Sequence, residues 1–308
     1  KILDTLKELF NSDKESKVKF TLCHSFAEIS KLLGPEISEA ELTNKILNQY
    51  KNNGFEIKKS ILKMLPSYLD TIKSEEIKSK FLVCFKDSSK EKKKWRDKIA
   101  FNKQLRGLCS SFSVDIVFKE VFPMVLSACF DGVAKVRIKC CKYLSFILKF
   151  ILSKDNNEIS QKCIKILECF AFHRNYNYRQ MYLCAIWKIV DDKEIFLKYP
   201  EILQYLTNLA FDKIEGVRIS LAAFFSKKFE KKVEWLKEDK KILGIIKLLK
   251  IGSSSVVKEI VENISVNGCE NIETEEYKDI NDKFKGELEY IKELGFIGKD
   301  DGDKKWFK

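Results

Sequence analysis

Phe130-Asp131-Gly132-Val133-Ala134-Lys135-Val136-Arg137-Ile138-Lys139-Cys140-Cys141-Lys142-Tyr143-Leu144 reads as a tight turn opening an amphipathic helix. Asp131 and Gly132 supply the turn chemistry, and Val136, Cys140, Leu144 and Ile147 recur at helical spacing. A Val-Arg pair, Val136-Arg137, stands at the mouth of that helix.

The same device repeats along the chain. Anchored on the cation at the mouth of each such helix, the positions are Lys19, Lys58, Lys98, Arg137, Arg179, Arg218 and Lys258. Successive intervals are 39, 40, 39, 42, 39 and 40 residues, a regularity that marks a repeat array. Six residues before the cations lie Asp13, Asn52, Lys92, Asp131, His173, Asp212 and Gly252, mostly turn or capping types.

Between anchors the apolar residues follow a second amphipathic helix. After Val18 they fall at Leu22, Phe26, Ile29 and Leu33, and Gly34-Pro35 then ends the helix. Further helices are expected over 39–51, 57–69, 98–112, 116–130, 138–152, 159–172, 179–190, 202–211, 217–229, 241–250 and 256–264. A pair of such short helices cannot bury its own apolar face, so the pairs must stack. The expected fold is therefore all-α, an α-solenoid of about seven HEAT-type repeats over residues 1–267.

Composition agrees. The 308 residues are 45% hydrophobic and include 23 Phe, enough for a continuous core, while 12 Gly and 4 Pro suit long helices with short joints. The ten Cys form no Cys-x-x-Cys pair and stand beside only two His, His24 and His173, so no zinc site is expected and the thiols read as free and buried. There is no 18-residue apolar run and no visible signal peptide, and the opening Lys1 in place of Met is what a fragment or a processed form would present.

The formal charge is +12, but from Cys269 onward 12 acidic and 8 basic residues give a net −4, leaving the array near +16. That C-terminal extension, residues 268–308, breaks the repeat register and is expected to be charged and disordered or loosely attached, or else partly helical, with Leu288, Tyr290, Ile291 and Leu294 able to form a short helix on the last repeat and Trp306 and Phe307 loose or a docking tip.

Several local strings carry a resemblance. Leu33-Gly34-Pro35-Glu36-Ile37, Lys94-Trp95-Arg96, the Phe130-to-Arg137 stretch, Asn175-Tyr176-Asn177-Tyr178-Arg179 and Asp212 to Arg218 come in one order at single-repeat spacing. Over roughly residues 12 to 266 the chain resembles the C-terminal half of the scaffold (A) subunit of protein phosphatase 2A and its relative, regulatory subunit 1 of protein phosphatase 4. That family's last repeats grip a phosphatase catalytic subunit through the turns inside each repeat. The resemblance thus implies partner contacts at Trp95 and Arg96, Val133 and Ala134, Tyr176 and Asn177, and Ile214 and Glu215. Trp95 also suits a plain core cap at a helix start.

The seven cations read as an internal ladder to neighbouring acids that orients one repeat on the next, each rung partly exposed and contributing little stability. The pattern departs from the family at Asp97 before Lys98, at Tyr178 before Arg179, at His173 in a turn site that is usually acidic, and at Glu215 in place of a small residue.

The function implied is a non-catalytic scaffold or regulatory subunit that positions the catalytic chain of a phosphatase-2A-like serine/threonine phosphatase and presents it to substrate or to a third regulatory subunit. No cofactor, metal or membrane is called for, and the expected location is the cytoplasm, with the nucleus as a second compartment. The alternative is an adaptor of another class, in nuclear transport or a nucleic-acid- or chromatin-associated complex. Nucleic acid is the weaker partner, because no basic run interleaved with aromatics appears in the sequence. Catalysis has no motif: there is no Gly-rich phosphate loop, no Gly-x-Ser-x-Gly elbow, and Cys23 and His24 are adjacent on one helix and point apart.

Overall fold

The computed structural model describes Thr5, residues 16–90, 94–231, 233–252 and 254–266, and the isolated positions Gly268, Tyr290, Glu293 and Leu294. The regular structure among these residues is helical throughout. The chain divides into two compact units, residues 1–136 and 137–308.

In the first unit α1 is Ser16–Leu33 and ends at Gly34, whose φ of 77° is a left-handed turn that a side chain would strain. Pro35 then opens α2, residues 35–52, in which a π turn at Ser38–Leu42 interrupts the α-helix. Next come α3 (Phe55–Thr71), α4 (Glu75–Lys90) and α5 (Trp95–Leu105), the last running into a 3-10 turn at Arg106–Ser111. The helix α6 covers residues 114–128 with a second π turn, Val117–Val121. One layer is α1 on α3 on α5 and the other is α2 on α4 on α6, with α2 against α3 and α5 against α6 joining the layers.

Apart from its first turn, α7 (Ala134–Leu152) belongs to the second unit. It is followed by α8 (Asn157–Ala171), α9 (Tyr176–Ala185), the short α10 (Lys193–Lys198), α11 (Glu201–Ala210) and α12 (Glu215–Glu230). A 3-10 turn at Glu234–Lys237 precedes α13 (Lys240–Gly252) and α14 (Ser255–Val261). The layering repeats: α8 packs on α11 and α11 on α13, and α9 packs on α12 and α12 on α14. This is the all-α solenoid plan, and the anchoring cations share a layer within each unit: Lys19, Lys58 and Lys98 on α1, α3 and α5, and Arg179, Arg218 and Lys258 on α9, α12 and α14.

Periodicity places the core. Val136, Cys140, Leu144, Ile147 and Ile151 of α7 are all fully buried, each such aliphatic side chain contributing about 1.5–3 kcal/mol over an exposed one. Four elements differ from expectation, one being the short α10, Lys193–Lys198, where no helix is foreseen. No helix is foreseen at Glu75–Lys90, yet Phe81, Leu82 and Phe85 drive α4 into the core. The helix expected over 179–190 starts earlier, at Tyr176, and ends at Ala185, with a turn following. Tyr290 and Glu293 are helical, but Tyr290 rests on α8 and α11 rather than on the last repeat: Lys165 Nζ is 4.3 Å from its ring centroid, in a groove of about 490 Å³ that Tyr205 also lines. Leu288, Ile291, Trp306 and Phe307 lie outside the described residues.

Candidate partner-binding turns

Three of the turns, at Asp131, His173 and Asp212, are built on one device with two variants of its key residue. Asp131 Oδ1 accepts the Val133 N–H at 2.9 Å, and Asp212 Oδ1 accepts the Ile214 N–H at 2.8 Å. His173 occupies the equivalent position, and its Nδ1 accepts the Asn175 N–H at 2.9 Å. The imidazole thus does the work of the missing carboxylate. Each bond folds the chain back sharply and aims the next residues outward at the N-terminus of the following helix.

The outward residues are the ones the resemblance singled out. Val133, Tyr176 and Ile214 are 41%, 44% and 43% exposed. Ala134 and Glu215, each the first residue of its helix, are exposed, and Asn177 is half-buried with its N–H donated to Asn175 Oδ1 at 3.0 Å. Glu215 accepts the Ser254 hydroxyl of the next turn.

In the first unit the turns come together around Trp95. Its half-buried ring has the Arg96 guanidinium 4.3 Å from its centroid and Lys135 Nζ, beside Ala134, at 5.1 Å. These are cation–π contacts that fix an aromatic platform between adjacent turns. Lys135 was not foreseen, and its one signal is its place in the turn next in register. In the second unit Gln180 donates from Nε2 to the Gly216 carbonyl at 2.8 Å and to Ser220 Oγ at 3.0 Å. That bond ties the Tyr176–Asn177 turn to the Ile214–Glu215 turn.

The seven cations behind the turns do not act alike. Lys98 pairs with Asp131. Arg179 meets Asp212 through two bonds, Nε to Oδ2 at 2.5 Å and Nη2 to Oδ1 at 2.9 Å, and its Nη1 donates to the carbonyls of His173 (2.6 Å) and Arg174 (3.0 Å). Arg179 is buried, not partly exposed as the ladder reading expects, because Asp212 and the turn carbonyls accept from all three of its nitrogens. Arg218 Nη1 donates to the Asp212 backbone carbonyl. Lys58 Nζ stands 5.7 Å from the Tyr50 ring centroid, Arg137 is half-buried and Lys258 is exposed. Lys19 lies on α1, and its side chain is outside the described residues.

Among the described residues no group of His, Cys, Asp and Glu could hold a metal ion, and no helix is long and apolar enough to cross a membrane. The arrangement offers apolar and aromatic tips on firmly capped turns, which is chemistry for gripping a protein surface.

No protein-family profile matches the chain. Over 224 residues, 70% of its length, it is 25% identical to serine/threonine-protein phosphatase 4 regulatory subunit 1 of Homo sapiens, and the Mus musculus and Rattus norvegicus proteins of that name match equally. It spans 23% of the length of these relatives. The chain is thus distantly similar, over most of its own length, to one stretch of a HEAT-repeat phosphatase 4 regulatory subunit.

Proposed function

We propose that the chain is a non-catalytic regulatory or scaffold subunit holding the catalytic subunit of a phosphatase-2A-like serine/threonine phosphatase against its intra-repeat turns. The observation that carries this reading is the run of exposed apolar tips at Val133, Tyr176 and Ile214. They stand on turns of one design, in a chain similar to a phosphatase regulatory subunit. Trp95 with Arg96 and Val133 with Ala134 would supply contacts from the first unit, and Tyr176 with Asn177 and Ile214 with Glu215 from the second. Aromatic and Arg side chains on rigid supports are the types that dominate interface energetics.

The chain's part in catalysis is then positional. It supplies no reacting group and no cofactor, and it presents the bound enzyme to substrate or to a third subunit. The same reading carries a cytoplasmic location with the nucleus as a second compartment, which imaging of a tagged chain checks. The direct test is co-purification with a phosphatase-2A-family catalytic subunit. Trp95→Ala with Arg96→Ala should deplete that subunit from the purified material, and undiminished recovery would sink the proposal.

A further inference from the structure

The unit spanning residues 137–308 carries a strip that no single stretch of sequence displays. Lys188 Nζ lies 5.2 Å from the Phe146 ring centroid, and Lys228 and Lys231 place Nζ 4.0 and 4.8 Å from that of Trp187. Lys142 lies one helical turn before Phe146 on α7, and Lys227 adjoins Lys228 on α12. The strip thus crosses from α7 through the end of α9 to α12.

Its charge is one-sided. Lys142, Lys227 and Lys231 are exposed and the Lys188 side chain is about a third exposed. The carboxylate among them, Asp191, is already taken by Lys188 at 2.9 Å and by Lys228 at 2.5 Å. Its neighbour Asp192 is held by Lys149 at 2.9 Å. Lys142, Lys227 and Lys231 thus add exposed positive charge beside these engaged carboxylates, while Glu230, also exposed on α12, accepts the Ser226 hydroxyl at 3.3 Å.

We propose that this strip binds an extended acidic peptide segment of a partner protein. Carboxylates of the segment meet Lys142, Lys188, Lys227 and Lys231, and an apolar side chain between them rests against the exposed part of Phe146. The geometry fits: neighbouring helices pack about 8–10 Å apart, and an extended chain rises about 3.3 Å per residue. Acids three residues apart therefore reach lysines on successive helices.

A single-stranded nucleic acid suits the strip less well. Its bases need open aromatic faces for stacking, whereas Phe146 and Trp187 already carry lysines, and no Arg fork is present for phosphate. The proposal does not depend on what the turns hold, and its test uses no phosphatase.

The test is fluorescence anisotropy of a fluorescein-labelled peptide with Glu at every third position and Leu and Ser between, titrated with the full chain. Saturable binding is expected, weakened at least about tenfold by Lys227→Glu with Lys231→Glu. Lys240→Glu with Lys241→Glu, the same charge change at exposed sites on α13, should leave it unchanged. Circular dichroism melting of both double variants should match the parent, since every position changed is exposed. Equal weakening by the two double variants would reduce the effect to net charge and overturn the proposal. So would a lack of saturable peptide binding, or tighter binding of a labelled single-stranded oligonucleotide that the peptide fails to displace.

Discussion

Arg179 and Asp212 form a buried two-bond ion pair, 2.5 and 2.9 Å, that fastens the second helix of one repeat to the turn of the next. Removing one partner strands the other charge away from water. Arg179→Ala or Asp212→Ala should therefore destabilise the chain by about 3–5 kcal/mol. The related pair Lys98–Asp131 has a lysine 38% exposed, and water screens it, so Lys98→Ala should cost no more than about 1 kcal/mol. Denaturant unfolding of the two variants side by side measures the contrast, and equal losses would contradict it.

Lys228 gives a pH signature. Its side chain is fully buried, and burial pulls its pKa from the ordinary 10.5 to about 8, the bond to Asp191 offsetting only part of that. Between those values the folded chain has released the proton and the unfolded chain still holds it. The unfolded state binds more protons, so this group's contribution to stability rises with pH across that window. Measured against Lys228→Met, which removes the titration, the parent should gain up to about 3 kcal/mol on going from pH 8 to 10.5. A parent that loses ground over the same window would contradict the assignment.

The thiols should be quiet. Burial pushes Cys109 and Cys184 up to about 12 and raises Cys84 and Cys163 as well, so little thiolate exists at neutral pH. Alkylation with iodoacetamide followed by peptide mapping should leave these four unmodified in the native chain and fully modified in denaturant.

The exposed tips separate binding from folding. Tyr176→Ala and Ile214→Ala remove side chains that are 44% and 43% exposed, and each should change stability by less than about 0.5 kcal/mol. Recovery of a phosphatase catalytic subunit should nevertheless fall. Leu144→Ala, at a fully buried position, should do the reverse, costing about 2–5 kcal/mol in unfolding free energy.

Much of the architecture was legible because one local rule recurs. A turn former, six residues and a cation mark the helices that share a layer in each unit, and Gly34-Pro35 marks a helix end by backbone chemistry alone. α4 escaped notice because its apolar residues are few among charges, and only packing reveals that Phe81 and Phe85 turn inward. The π turns in α2 and α6 answer to tertiary fit and leave no signature in composition. The turn tips were legible through their place in the repeat. The lysine strip was not, since Phe146, Trp187 and Lys228 stand about one repeat apart in the chain and meet only when the helices stack. Stacking the sequence on its own period brings those three into one column.

Asp131 and Asp212 each use their carboxylate at both ends. Oδ1 shapes the turn of its own repeat through the N–H of Val133 or Ile214, while Oδ2 engages Lys98 or Arg179 of the repeat before, Arg179 reaching Asp212 Oδ1 as well. A load applied to an exposed tip is therefore passed through a single rigid group into the neighbouring helix. Within each of these pairs the turns cannot tilt separately without breaking an ion pair, so any lever arm at a tip is two repeats long.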